Sequence, residues 1–191
     1  MAEVLESLRQ EHGNIASLLL TLEAQIDEFE AGRRPDYEVM SAAIDYFETF
    51  PDLYHHPKED LVFARLRACD PASAEAVGDL AREHESLRGR MKRFAGMLRD
   101  VLGEAELRRA DFVDGARQFI DAQWRHLHME EERFFPAAER ILTPSDWAEL
   151  KAEMSQGADP LFGGSSGDAF ERLRQAILKW QAQDRLAAGA A

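Results

Sequence analysis

The sequence predicts an all-α fold, an up-down-up-down four-helix bundle with a C-terminal helical extension. Three observations predict it. Helix breakers are sparse, with seven Pro and twelve Gly in 191 residues. Apolar residues recur at steps of three and four over long stretches, the period of one helix face. The breakers that do occur leave four long helical stretches with short connections, which favour antiparallel neighbours. Residues 1–142 are expected to form the bundle and residues 143–191 the extension packed on it. The length suits one domain with an ample core.

The first helix, roughly residues 2–31, carries Leu5, Leu8, His12, Ile15, Leu19, Leu22, Ile26 and Phe29 as one seam, and Gly32 and Pro35 end it. A second runs from about Asp36 towards Ala68. Pro51 and Pro57 interrupt or kink it, because each removes a donor and crowds the preceding turn. "CDPAS" is the next break. The third helix carries Leu80, His84, Leu87, Met91, Phe94, Leu98 and Val101 and ends near Gly103. The fourth runs from about Ala105 to Leu142, with Phe112, Ala116, Phe119, Gln123, His126 and Glu130 on one face. "TPSD" starts a short helix with Ser145 or Thr143 as its cap. "SQGADPLFGGSSGD" reads as a loop. A last amphipathic helix presents Phe170, Leu173, Ile177 and Trp180.

A formal net charge of −13 argues against nucleic acid and against an anionic membrane surface, since both reward clustered Lys and Arg. No apolar run approaches the length of a membrane span, and the charged N-terminus is no signal peptide. Cys69, the single cysteine, cannot form an internal disulfide. A reducing, cytoplasmic location is the expectation.

The two helical hairpins repeat each other. "LRQEHGNI" (8–15) and "LAREHESL" (80–87) share Leu-x-x-Glu-His-x-x-apolar at an offset of 72. "HHPKEDLVF" (55–63) and "HLHMEEERF" (126–134) share His-x-x-x-Glu followed by Phe at an offset of 71. His12 and His55 are 43 residues apart and His84 and His126 are 42 apart, and each pair is centred on its turn. Antiparallel helices rise equally per residue, so all four imidazoles are expected in one layer of a pseudo-two-fold bundle.

In each His-x-x-x-Glu pair the Glu lies on the helix face of its His. Glu59 and Glu130 therefore join His55 and His126 in the interior, with no Lys or Arg expected in the seams. Buried unpaired carboxylates cost several kcal/mol or take up protons, so a metal pair between them is the economical solution. Imidazole with carboxylate suits iron, manganese or zinc. With both carboxylates bridging, His12 and His55 would serve one ion and His84 and His126 the other. Room is left for a solvent-derived bridge and an exogenous ligand. His56 lies about 100° off the ligand stripe; a ligand or supporting role for it stays open. His128 points away from His126. Glu131, Glu132 and Asp60 read as a solvated face. Glu11 and Glu83, each beside a ligand His, read as acceptors for imidazole N–H groups or as exposed. Cys69 shows no activating surroundings.

These motifs resemble the hemerythrin-like HHE cation-binding family, through "EHGNI", "YHHPKED", "REHESL" and "HLHMEEERFFP" over residues 1 to about 142. The resemblance implies a non-haem di-iron centre in an up-down four-helix bundle, with His12, His55, Glu59, His84, His126 and Glu130 as ligands. The oxygen-carrying hemerythrins have a second histidine one turn after the third-helix ligand, where this chain has Arg88. They also have Asp five residues after the fourth-helix His, where this chain has Glu131, with Glu130 at four. The pattern is closer to the His, His-x-x-x-Glu, His, His-x-x-x-Glu members. For those the resemblance implies oxygen, peroxide or nitric-oxide chemistry, or iron and redox sensing. Three functions are thus expected to compete: small-oxidant binding, a peroxidase, catalase-like or oxidase activity, and a metal-ordered interaction module.

Overall fold

The computed structural model describes residues 3–103, 106–154, 175, 177 and 178, and every regular element among them is helical. Helix α1 (Glu3–Glu30) ends where Gly32 adopts φ 76°, and Asp36 opens α2 (Tyr37–Phe50) by accepting from the N–H groups of Glu38 and Val39. Continuous with α2 are a π-helical turn, Pro51–His55, and α3 (His56–Cys69). His56 N–H donates to Pro51 C=O, five residues back. The widened turn is how the chain takes in Pro57, whose ring would crowd an α-helical carbonyl four residues behind it.

The expected break at "CDPAS" falls at Asp70, which ends α3, and a further short helix, α4 (Pro71–Val77), follows at once. Asp70 caps it through Ala72 and Ser73, and Pro71 stands at its first position. Gly78, at φ 114°, ends α4, and Asp79 caps α5 (Leu80–Leu102). Helix α6 (Arg109–Met129) runs into a second π-helical turn, Glu130–Phe134, and then α7 (Phe135–Ile141), with Pro136 just past the widened turn. Thr143, not Ser145, caps α8 (Pro144–Glu153), in a capping box with Asp146. The described chain thus has more helical segments than the four expected. Phe170, Leu173 and Trp180 of the expected last helix lie outside the described residues, as does the "SQGADPLFGGSSGD" loop; Ile177 is helical and buried.

Helix α1 packs against α2 and α6, and α5 packs against α2 and α6, closing a ring. Two apolar clusters form inside. One contains Leu18, Leu22, Ile26, Met40, Phe47, Phe94, Phe112 and Phe119. The other contains Leu5, Leu8, Val62, Leu66, Phe134, Phe135, Ala138 and Leu150. Each fully buried side chain of this kind stabilises by roughly 1.5–3 kcal/mol. On every long helical run, the buried His and Glu residues fall between the members of one cluster and those of the other. Helix α8 closes the second cluster with Leu150, and Arg65 of α3 pairs with Asp146 and Glu149.

Candidate metal centre

The structure brings all six sequence-predicted residues together. His12 comes from α1, His55 from the end of the first π turn, Glu59 from α3, His84 from α5, His126 from α6, and Glu130 from the start of the second π turn. All are buried, and Glu59 and Glu130 are 0% exposed. Glu59 Oε1 lies 3.2 Å from both His12 Nε2 and His55 Nε2, and its Oε2 lies 3.4 Å from His84 Nε2. Glu130 Oε2 lies 3.4 Å from His12 Nε2, and its Oε1 lies 3.3 Å from His126 Nε2 and 3.8 Å from His84 Nε2. Each carboxylate therefore reaches both histidine pairs. The rings of His12 and His55 are 5.0 Å apart edge to face, as are those of His84 and His126.

The other nitrogen of each ring faces outward to a carboxylate. His12 Nδ1 is 2.8 Å from Glu131, His55 Nδ1 2.8 Å from Glu11, His84 Nδ1 3.2 Å from Asp60, and His126 Nδ1 3.3 Å from Glu83. At His12, His55 and His126 the contact is a hydrogen bond, and in a neutral ring an Nδ1–H donated outward leaves Nε2 directed inward as a lone-pair donor; His84 Nδ1 lies near Asp60 without forming one. This corrects the reading of Glu131 as part of a solvated face; Asp60 is exposed, as that reading had it, with one oxygen near the His84 ring. These contacts were hidden because they run between helices, while along their own helices Glu131 and Asp60 stand among other acids. Lys58 is a second correction: it is buried, and its Nζ lies 2.5 Å from Glu11 Oε1. It thereby steadies the acceptor of His55 and leaves Glu59 and Glu130 without a Lys or Arg partner.

Electrostatics of the bare cluster follow from burial and contact. Burial alone would push both central carboxyls up. The imidazoles of His55, His12 and His84 overcome this and hold Glu59 well below the usual carboxylate range. Glu130, also opposed by Glu59, is lowered with help from His126, His12 and His84. Burial likewise depresses His12 and His84, but Glu130, Glu131 and Glu59 raise His12 to about 11, and Asp60, Glu130 and Glu59 raise His84 to about 11. The centre thus holds carboxylates and the cations that answer them.

Those groups are close but misaligned. Among the described residues, the buried side-chain polar atoms lacking a hydrogen-bond partner are His55 Nε2, Glu59 Oε2, Nδ1 and Nε2 of His84, His126 Nε2 and both oxygens of Glu130. All belong to this cluster. Buried polar atoms are ordinarily satisfied, and a set of unsatisfied Nε2 and carboxylate oxygens converging on one region is a donor set for a borderline divalent metal. One ligand atom each from His12, His55 and Glu59 lie within 4.8 Å of one another, and so do one each from His56, Glu59, His84 and His126.

The model of the hemerythrin HHE cation binding domain matches residues 3–138. The chain belongs to the hemerythrin HHE family. No curated protein and no solved structure matches it. In this HHE domain the residue that sequence reasoning left open is His56. It is 6% exposed, stacks on His84 with ring centres 4.0 Å apart, and sends Nδ1 to Asp52 at 3.2 Å. Burial, more than its neighbours, pushes it down to about 4, so it is neutral near pH 7. Arg88, standing at the family's additional-histidine position, holds Asp52 through Nε at 2.6 Å and Nη2 at 3.2 Å. His128 is exposed and stacks on Trp124, away from the centre, and Cys69 is exposed. A cavity of about 70 Å³ between the α2 end and α5 is lined by His56, Gln123, Asp52, Arg88 and Lys92. No helix among the described residues is long and apolar enough to cross a membrane.

Proposed function

We propose that this HHE domain holds two iron ions and uses them to bind or react with a small oxidant: oxygen, peroxide or nitric oxide. In this reading His12 and His55 serve one ion, His84 and His126 the other, and Glu59 and Glu130 bridge. Residues 1–142 are the metal-binding unit, an up-down-up-down bundle of the four long helical runs, and residues 143–191 are its extension. The observation that carries the reading is the convergence of unsatisfied Nε2 and carboxylate oxygens from five buried residues on one region. Imidazole and carboxylate together accept iron, manganese or zinc; family membership favours iron.

When bound, an iron pair supplies one-electron and two-electron redox chemistry towards such oxidants. The chain's own residues do the rest. Outward carboxylates fix the imidazoles of His12, His55 and His126, the two apolar clusters keep bulk water from the layer, and the cavity beside His56 and Gln123 admits a molecule of a few atoms.

The test is iron loading without oxygen, followed by oxygen or azide. Two irons per chain and new near-ultraviolet charge-transfer bands are expected. Full iron occupancy with an unchanged spectrum overturns the oxidant chemistry. Less than about one metal per chain, after reconstitution with iron, manganese or zinc in turn, overturns the dinuclear site and leaves an imidazolium–carboxylate network in its place.

A further inference from the structure

We infer that the cavity beside the centre is a binding site for hydrogen peroxide, held there by the side-chain amide of Gln123. This rests on reading the buried cluster as a metal pair, and it narrows the small oxidant to peroxide rather than oxygen or nitric oxide. An unpaired amide, the place and size of the cavity, and its balance of charge carry it.

Gln123 is the polar residue that interrupts the apolar face of α6 one turn before His126. It is 6% exposed, and among the described residues its side chain has no hydrogen-bond partner. It forms part of the cavity wall. Burying an amide unpaired is unfavourable. The amide offers N–H donors and a C=O acceptor, so the guest that satisfies it both donates and accepts. Hydrogen peroxide does both at each oxygen. Oxygen and nitric oxide have no hydrogen to donate.

Leu87, one turn after His84 on α5, is another wall, and so is His56, which stacks on His84 with ring centres 4.0 Å apart. The cavity therefore lies against the His84/His126 side of the layer. At about 70 Å³ it is about half the size of the roughly 150 Å³ cavity that admits benzene. It takes a molecule of a few atoms and excludes a branched organic hydroperoxide.

Its charged walls cancel. Arg88 is committed to Asp52 and Glu85, and Lys92 shares the mouth with Glu48. A neutral guest suits such a lining better than superoxide does.

Met91, 3% exposed, is a further wall, and its thioether records what enters. The sulfur gives an electron pair to one peroxide oxygen: an S–O bond forms, the O–O bond breaks, and the second oxygen leaves with both hydrogens as water. Met40, 0% exposed in the same apolar cluster, stands outside the cavity wall and is the control. The test treats the full chain, loaded with redox-inert zinc and also metal-free, with hydrogen peroxide and maps sulfoxides by peptide mass spectrometry. Met91 is expected to oxidise faster than Met40. Gln123→Leu, of nearly the same volume, is expected to slow Met91 by about 2–10-fold, the occupancy lost with one hydrogen bond. tert-Butyl hydroperoxide, as bulky as benzene, is expected to show no preference for Met91. Melting checks that Gln123→Leu folds; if it does not, the wild-type comparison of the two peroxides decides. Equal rates at Met91 and Met40, an unchanged Met91 rate in Gln123→Leu, or a preference that persists with tert-butyl hydroperoxide overturns the peroxide site. A chain that takes up neither zinc nor iron yet keeps the Met91 preference fails at the metal pair and not at this cavity.

Discussion

Removing the metal should cost this protein a large part of its stability. Without ions, unsatisfied polar atoms sit on five fully enclosed side chains: His55, Glu59, His84, His126 and Glu130. An unsatisfied buried group costs about 1–3 kcal/mol, so five such side chains amount to roughly 5–15 kcal/mol, the whole stability of an ordinary domain. Protons offset part of this, because His12, His55 and His84 are all raised and their cations answer the two carboxylates. The net effect therefore belongs near the lower end, about 5 kcal/mol. At about 2–4 °C per kcal/mol for a chain of this size, the chelated protein is expected to melt roughly 10–20 °C below the loaded one. Scanning calorimetry of chelated and reloaded samples measures the shift. Amide exchange should show the loosening in the His55–Glu59 and His126–Glu130 segments and beyond them towards α8. A shift under about 3 °C with unchanged exchange would refute the reasoning, since the interior would then be satisfied by its own imidazolium–carboxylate pairs.

Other outcomes follow from the same geometry. Glu11→Gln removes the charge that serves both His55 and Lys58; metal affinity by chelator competition should fall about 10–100-fold with helix content unchanged, and an unchanged affinity would exclude an outer role for Glu11. Glu130→Gln should drop metal content to one ion per chain or fewer by elemental analysis; two retained ions would rule out Glu130 as a bridge. Loading at pH 7 should release about two protons, from His12 and His84, because ligand imidazoles must be neutral; calorimetry in buffers of different ionisation enthalpy counts them, and zero would contradict the raised imidazoles. The sign for the metal-free protein is opposite to that for metal affinity. Imidazoles raised to about 11 favour the folded state fully below about pH 6.5, and that contribution is lost as pH climbs towards 11. Thr143→Ala should cost about 1 kcal/mol by opening the α8 capping box, seen as a small fall in melting temperature with metal content intact.

Much of the centre was legible because its signal is local. His12 and His84 interrupt seams whose every other position is apolar, His126 ends a stripe that is apolar up to Gln123, and Glu59 and Glu130 follow a histidine by one turn. Burial of Phe112, Ala116, Phe119, Gln123, His126 and Glu130 along one face agrees with that reading. What escaped depended on departures from α-helical geometry or on contacts across helices. His56 follows directly on the π turn Pro51–His55. Such a turn holds more residues than an α turn, so successive side chains there are less than the α-helical ~100° apart and neighbouring residues can share the interior. The π turns also break the symmetry the motifs suggested: one ends at the His of its His-x-x-x-Glu pair, the other begins at the Glu. The carboxylates behind the rings were half visible. Glu11 and Glu83 sit beside ligand histidines in sequence, yet each faces the ring of another helix, His55 and His126, as Glu131 and Asp60 face His12 and His84.

The division of the interior into two apolar clusters has a mechanical consequence. Oil on either side of a charged layer does not transmit order across it by itself. The ends of the helices that hold Leu5, Val62, Phe134 and Leu150 are tied to the half that holds Phe47, Phe94 and Phe119 by continuous backbone and by whatever rivets the layer between them. A change in the layer is therefore felt as looseness at the far end, including α8. If the layer holds a metal, its removal is expected to show as faster amide exchange in α8, well away from the ligands themselves.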